Sequence, residues 1–295
     1  MSTEHPPLSI NVALARAAAR LRPSDSAILD AHVLLGHALG HSRGELLAHS
    51  EELIPAPQLA AFEQAVSRRA TGEPLAYITG SREFWSLELK VSPAVLVPRP
   101  ETELVVERCL ALLSGQSVAM ADLGTGSGAI ALALAWERRG WTVTATDRSE
   151  AALAVAAANA LALGINNVRF VPGAWFDALR DQQFDLIASN PPYVAAADPV
   201  LEDPALRHEP LEALASGTSG LEDLAELVTG APPHLHSEGW LVLEHAPVQA
   251  GTLSELLVAR GFRHVRCHAD LAGLARVTEA QRPTDTSPKT QSQSS

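Results

Sequence analysis

The sequence predicts an α/β protein: a mainly parallel sheet with helices on both faces, preceded by a small all-helical domain and a β-hairpin connector. Three observations carry this. Apolar residues recur at helical spacing up to about residue 74, they alternate with polar ones between 75 and 97, and after Pro100 strand-like and helix-like stretches succeed one another. With 295 residues, 46% hydrophobic and 19% charged, the chain can bury a sizeable core and is long enough for two domains.

From Ser9 to Gly72, Ile28, Leu29, Leu35 and Leu39, and then Leu59, Phe62 and Val66 behind Pro57, follow a helical period. Ser42-Arg43-Gly44-Glu45 fits a capping box, Gly72 is a C-terminal stop, and residues 1–74 are expected to form about four helices. In the connector, Leu87, Leu89 and Val91 alternate with Ser86, Glu88 and Lys90, and Tyr77, Ile78, Phe84 and Trp85 predict a strand before them. The third region, 98–280, has strands expected at 118–123, 142–146, 168–171, 184–189, 240–244 and 264–268. Helices are expected at 129–138, 150–163, 221–227 and 248–260. The tail, 281–295, is polar, lacks apolar anchors and is expected to be disordered.

Composition removes several function classes. Thirty-four acidic against twenty-two basic residues give a formal charge of −12, and Lys90 and Lys289 are the only lysines, so stable binding to nucleic-acid backbones is not expected. Cys109 and Cys267 match no metal or redox spacing and read as buried small hydrophobes in a reducing compartment. The N-terminus, MSTEHPPLSI, lacks a basic region followed by an apolar one, which makes the cytoplasm the expected location. The uncharged stretch 151–168 is too alanine-rich and too polar at Asn159, Asn166 and Asn167 to span a membrane.

Asp122-Leu123-Gly124-Thr125-Gly126-Ser127-Gly128 follows an apolar strand and opens a helix, so the glycines permit a tight turn that brings backbone N–H groups towards a ligand. Nineteen residues after Gly128, Asp147 ends the next strand, where a carboxylate can accept from both ribose hydroxyls of an adenosine-type ligand. Taken singly, the loop is a strand-to-helix turn and Asp147 a charge before the N-cap Ser149. Their joint position in one βαβ unit favours a nucleoside site, and the G-x-G-x-G spacing resembles S-adenosylmethionine-dependent methyltransferases rather than dehydrogenases.

A second motif, Asn190-Pro191-Pro192-Tyr193, follows the strand 184–189 at the sheet edge where ligands bind. An amide or exocyclic amine nitrogen is a poor nucleophile because its lone pair is delocalised. It has to be oriented, and the Asn190 side-chain oxygen with the Pro191 carbonyl can accept its two N–H protons, while Tyr193 packs on the flat group. Two prolines hold the carbonyl still. The competing reading is a proline-rich turn that ends a strand, with Asn190 satisfying local backbone.

With these motifs in order, the chain from about Ser9 to Ala280 resembles the peptide chain release factor glutamine methyltransferases, the HemK or PrmC family. The likeness extends to Gly72-Glu73-Pro74-Leu75, Tyr77-Ile78, Pro98-Arg99-Pro100-Glu101-Thr102-Glu103, Glu209-Pro210, Ala213-Leu214 and Arg276-Val277. It implies a Rossmann-like methyltransferase domain with a mainly parallel seven-stranded sheet, and S-adenosylmethionine as cofactor. Gly124, Thr125, Gly126, Ser127, Gly128, Asp147, Trp175 and Asn190 would contact the methyl donor. Asn190, Pro191, Pro192 and Tyr193 would bind the acceptor, with Asn190, Pro191 and Tyr193 catalytic. The acceptor implied is the glutamine of the Gly-Gly-Gln motif in class-one release factors, recognised through the helical domain. Two positions depart from the family pattern: Ala174 stands where an acidic residue is usual, and Ala246 where a glycine is, which puts the shape of the loop around Ala246 in question.

Two other functions are weighed. An exocyclic-amine methyltransferase on nucleic acid shares the Asn-Pro-Pro-Tyr solution, but the charge of −12 argues against it. A non-catalytic binding module is disfavoured by the presence of both motifs. Pro100 with Glu101 and Glu103 reads as a helix start, Arg99 as a weaker site candidate and Glu209-Pro210 as a positioner of the acceptor loop. His208, one of eleven histidines, is left out of the site, and no metal-ligand constellation or catalytic base is apparent.

Overall fold

A computed structural model describes residues 7–22 and 24–284. Contacts divide them into two compact units: residues up to Ser81 together with Glu202–His208, and the remainder. The tail expected to be disordered falls outside the described residues from 285 onward, whereas Gln281 ends a strand.

The first unit contains α1 (Ile10–Arg20), α2 (Ala27–Leu39), α3 (Arg43–Ala48), α4 (Ala56–Ala70) and α5 (Leu75–Thr79). The Ser42 capping box is present, with Glu45 N donating to Ser42 Oγ at 3.3 Å and Ser42 N to Glu45 Oε2 at 2.7 Å. Leu34, Leu35, Leu46, Leu59, Phe62 and Val66 form its core. Ile28 and Leu29 do not join it, being 61% and 52% exposed on α2. Gly72 does more than stop a helix. Its φ is +95°, and a Cβ there would lie 2.6 Å from Cβ of Pro204, so the distant segment Glu202–His208 packs where only glycine leaves room.

The strand expected to contain Tyr77 and Ile78 is the helix α5 instead, because Pro74 starts a turn whose Ile78 joins the helical core. The hairpin is shorter: β1 (Ser81–Phe84) and β2 (Leu87–Lys90), with Trp85 and Ser86 at the turn with φ of +53° and +59°. Trp85 is held there from both ends. Its backbone N–H donates to Glu103 Oε1 and its indole N–H to Glu137 Oε1, each at 2.9 Å.

Next come α6 (Glu103–Leu112), β3 (Ala119–Leu123), α7 (Ala129–Glu137), β4 (Thr142–Asp147), α8 (Glu150–Leu163) and β5 (Val168–Pro172). They are followed by β6 (Phe184–Ser189), α9 (Glu222–His234), β7 (Leu235–Glu244), α10 (Ala250–Ala259), β8 (Arg263–Ala269) and β9 (Ala275–Gln281). The seven-stranded sheet has the order β5-β4-β3-β6-β7-β9-β8, parallel except around β9. One face packs on residues of α6, α7 and α8, the other on α9 and α10. No strand is expected from local pattern at β9, whose partners are distant in sequence. It pairs antiparallel with both β7 and β8 and buries Val277, Thr278, Glu279 and Ala280. Cys109 is buried as expected, but Cys267 is exposed on β8, an edge strand. Among the described residues no helix is long and apolar enough to cross a membrane.

Candidate active site

After β5 the chain returns to pair β6 beside β3, so the strand order reverses between β3 and β6, and a crevice opens at their carboxyl ends. Leu123 is in register with Thr146 of β4 and Ser189 of β6, and Ser189 with Leu243 of β7. One residue further on, Gly124, Asp147, Asn190 and Glu244 therefore stand side by side at the sheet edge. Ser189 Oγ donates to the Leu123 carbonyl at 2.6 Å and ties the two central strand ends together.

The cleft at this edge has an empty volume of about 1000 Å³ with its open mouth included, and Gly124, Thr125, Gly126, Ser127, Asp147, Trp175, Asn190 and Pro192 line it. Gly128, Pro191 and Tyr193 do not. Gly128 starts α7 with φ +87°, where a Cβ would meet Leu132 at 2.9 Å. Pro191 is buried, and Tyr193 packs against the α9/α10 face while its hydroxyl donates to Glu244 Oε1 at 3.2 Å.

The loop amides depart from the expectation that they point towards a ligand. Gly124 N and Thr125 N donate to the Thr146 carbonyl at 2.9 and 2.8 Å, Gly126 N to Asp147 Oδ2 at 2.9 Å, and Gly128 N to the Thr125 carbonyl at 2.9 Å. The loop thus shapes the wall rather than forming an anion cradle, which suits a ligand without phosphates. Asp147 also accepts from Ser149 N at 2.9 Å through Oδ1, so each carboxylate oxygen takes one backbone donor and keeps capacity for a ligand hydroxyl. Trp175, in the left-handed region at φ +40°, lays its ring against Gly124, where a Cβ would come within 3.2 Å of it.

Asp122 sits beneath the loop, fully buried, with Oδ2 accepting from Thr125 Oγ1 at 2.6 Å and from Ala131 N at 3.2 Å. Oδ1 has no partner among the described residues, and burial pushes the carboxyl up to about 7. Burial likewise raises Glu244 to about 7, opposed by the Tyr193 hydroxyl bond and the Arg276 charge, and its Oε2 has no partner among the described residues.

Several residues given lesser or no roles from the sequence belong to this edge. Arg99 lines the cleft and pairs with the buried Glu209, whose Oε2 also accepts from Val97 N at 3.0 Å. Arg148 donates to the Glu212 carbonyl at 3.0 Å, beside Pro210 and Ala213 on the cleft wall. The buried Asn159 of α8 joins β2 to the loop: its Oδ1 accepts from Lys90 N at 2.8 Å, and its Nδ2 donates to Lys90 O at 3.0 Å and Ser127 O at 2.9 Å. Asn190 Nδ2 donates to Thr102 Oγ1 at 3.1 Å. Glu244 could have been found by noting that it ends a strand; Asn159 carried no local signal.

Ala174 lines the cleft and offers no polar side-chain group there. At Ala246 φ is −69° and ψ is 149°, a conformation any residue adopts, so alanine in place of glycine causes no strain there.

Two family models match the chain, the PrmC N-terminal domain over residues 12–80 and the methyltransferase small domain over residues 101–205. The hMettl16 catalytic domain, solved with an RNA hairpin, shares the fold at a TM-score of 0.56 and 15% identity, over 80% of this chain and 87% of that one. The release factor glutamine methyltransferase of Pseudomonas aeruginosa is 47% identical over 89% of this chain and 95% of its own length. Those of Yersinia pestis and Escherichia coli are 48% and 42% identical, over 91% and 90% of this chain and 97% and 96% of their own lengths. Identity of this degree along nearly the whole of both chains makes the protein a member of the release factor glutamine methyltransferase family.

Proposed function

We propose that the chain transfers a methyl group from S-adenosylmethionine to the side-chain amide nitrogen of the glutamine in the Gly-Gly-Gln motif of class-one translation release factors. The observation that carries this reading is the row formed by Gly124, Asp147 and Asn190 at adjacent strand ends around one cleft. The cleft fits the donor. Asp147 has acceptor capacity for ribose hydroxyls, Trp175 offers an aromatic face beside Gly124, and the wall is mostly apolar with internally bonded amides. Because Ala174 gives the adenine no side-chain acceptor, the base is held by stacking and shape.

S-adenosylmethionine supplies an electrophilic methyl carbon on a sulfonium. Asn190 turns its N–H₂ to Thr102, which leaves Oδ1 to accept an N–H of the acceptor amide and hold the nitrogen lone pair towards the methyl group, whereas Pro191, expected to offer the second acceptor, lies outside the cleft lining. As the N–C bond forms and the C–S bond breaks, the nitrogen becomes acidic and its proton passes to solvent. Pro192 walls the acceptor side. Tyr193 supports the motif from behind through Glu244 instead of covering the glutamine.

The helical unit, called here the recognition domain for residues 1–74, carries the exposed apolar residues Val12, Ile28, Leu29 and Val33 and is assigned to release factor binding. With a charge of −12 the chain does not bind nucleic acid stably, and the reaction belongs in the cytoplasm with translation. The test is to incubate the protein with methyl-labelled S-adenosylmethionine and a release factor, the same factor with Gly-Gly-Gln changed to Gly-Gly-Ala, or DNA. Label on the first substrate alone is expected; label on DNA, or on both factors equally, overturns the reading.

A further inference from the structure

Resting on the methyl transfer just proposed, the structure assigns a positioning role to Gln249: we propose that its carboxamide clasps the chain on both sides of the excursion 194–219 and thereby fixes the Asn-Pro-Pro-Tyr motif against the cleft. Gln249 ends the turn Pro247–Gln249 that leads into α10, is 7% exposed and does not line the cleft. Its side chain meets three separate segments. Nε2 donates to the Tyr193 carbonyl and to the Gly220 carbonyl, each at 2.9 Å, and Oε1 accepts from Ala246 N at 2.9 Å. The two carbonyls need donors and the amide needs an acceptor, so only one orientation of the carboxamide satisfies all three.

The need for such a clasp follows from the motif itself. Pro191 and Pro192 have no backbone N–H, so the motif cannot be pinned through a ladder and has to be held at its ends. Upstream, Ser189 is in register with Leu123 and Leu243. Downstream the chain leaves the sheet for the excursion, whose stretch Glu202–His208 belongs to the helical unit and whose residues Pro210, Glu212 and Ala213 line the cleft. The two stems of the excursion pair directly beyond Tyr193: Val194 N donates to the Leu214 carbonyl at 3.0 Å, and Ser216 N to the Val194 carbonyl at 2.8 Å. Gln249 closes this pairing at its base, with one N–H on each stem.

Gly220 shows how closely the clasp is fitted. Its φ is +79°, and a Cβ there would lie 2.5 Å from the Tyr193 oxygen and 3.1 Å from Gln249 Nε2, so only glycine lets the stems come this near. Gly124, Asp147 and Trp175 take no part in the clasp. Its loss frees the Tyr193 carbonyl, and with it the aim of Asn190, while Asp147 and Trp175 stay in place for the donor.

The decisive comparison is Gln249→Glu with Gln249→Met in the full-length protein, with Gly220→Ala as an independent approach from the opposite stem. Glutamate keeps an oxygen for Ala246 N but has at most one proton for two carbonyls, whereas methionine keeps the length and loses all three bonds. Counted per site that binds S-adenosylhomocysteine in calorimetry, single-turnover methylation of a release factor should fall by about 10- to 100-fold in all three variants. Donor affinity and the half-saturating release factor concentration should stay within about three-fold of the parent. Gly220→Ala combined with Gln249→Glu should fall no more than about three-fold below the slower single variant, because both break one clasp. Hydrogen exchange, read with no substrate present, should quicken by about ten-fold or more at the Val194 and Ser216 amides in Gln249→Glu and stay unchanged along β3. A Gln249→Glu rate within about three-fold of the parent would make the residue a cap for the turn at Ala246 and overturns the positioning role, as does unchanged exchange at Val194 and Ser216. A parent protein that labels no release factor while exchange in Gln249→Glu behaves as expected overturns the substrate reading and leaves the clasp standing.

Discussion

Asn190 and Asp147 stand at strand ends on either side of β3, yet their substitution should separate chemistry from binding. Without the side-chain oxygen of Asn190 the acceptor amide still enters the cleft but is no longer aimed. Asn190→Ala should therefore lower single-turnover methylation at saturating donor by about 10²-fold or more, with donor affinity by calorimetry within a few-fold of the parent. Asp147→Ala should instead weaken donor binding by roughly 1–3 kcal/mol, the range of a charged acceptor, because it also frees the amides of Gly126 and Ser149. Asp122 gives a pH signature. Its carboxyl is held up at about 7 in the folded protein against 3.8 as the ordinary value, so the unfolded chain releases the proton first and stability declines as pH rises through that window. Asp122→Asn keeps an oxygen for Thr125 and Ala131 and carries no charge. The fall in melting temperature between pH 5 and 8 should be shallower in this variant than in the parent, and equal slopes would remove Asp122 from the account.

Among the elements, the hairpin and α8 are joined to the cofactor loop by Asn159 alone among polar side chains described there. Asn159→Leu leaves the Ser127 carbonyl unpaired in a buried place and the Lys90 backbone groups unpaired in a half-buried one, which should cost roughly 1–3 kcal/mol of stability and loosen the loop. Denaturant unfolding and donor calorimetry should both register the change; a stable variant with reduced affinity would confine Asn159 to the loop. The Trp85-Ser86 turn offers the opposite opportunity. Ser86 is exposed and sits at φ +59°, so Ser86→Gly should relieve roughly 0.5–1 kcal/mol of left-handed strain, net of the extra freedom of the unfolded chain. A small rise in melting temperature checks this. Trp85 should not be replaced with it, since Glu103 and Glu137 hold that residue in place.

For the molecule as a whole, the division into two units predicts that recognition and chemistry separate by substrate. Ile28→Glu with Leu29→Glu alters side chains that are 61% and 52% exposed and leaves the core residues Leu34 and Leu35 untouched. Methylation of a full-length release factor should drop by at least about ten-fold, which corresponds to about 1.4 kcal/mol of lost interaction. A short peptide containing Gly-Gly-Gln should be methylated as by the parent. Equal losses on both substrates would place the defect in the methyltransferase unit, and no loss on either would remove this helical face from recognition.

The α/β class, the helical beginning, the glycine loop, Asp147 and the Asn-Pro-Pro-Tyr motif could all be read from residues 9 to 280, because each is a local pattern of period, spacing or turn chemistry. Helix α8 was expected and observed over the same residues, 150–163, since an N-cap serine and a C-terminal glycine bracket it. Elsewhere local pattern misled. Tyr77 and Ile78 look like strand residues but follow Pro74 into a short helix, and the apolar Ile28 and Leu29 face outward. Strand β9, the return of Glu202–His208 to the helical unit, the internal bonding of the loop amides and the Asn190–Thr102 and Tyr193–Glu244 contacts depend on partners far apart in sequence. Spacing along the chain does not encode which backbone donor a carboxylate will meet, or which hydroxyl an amide will face. Only the pairing of β3, β4, β6 and β7 in register brought their ends into one row and decided those contacts.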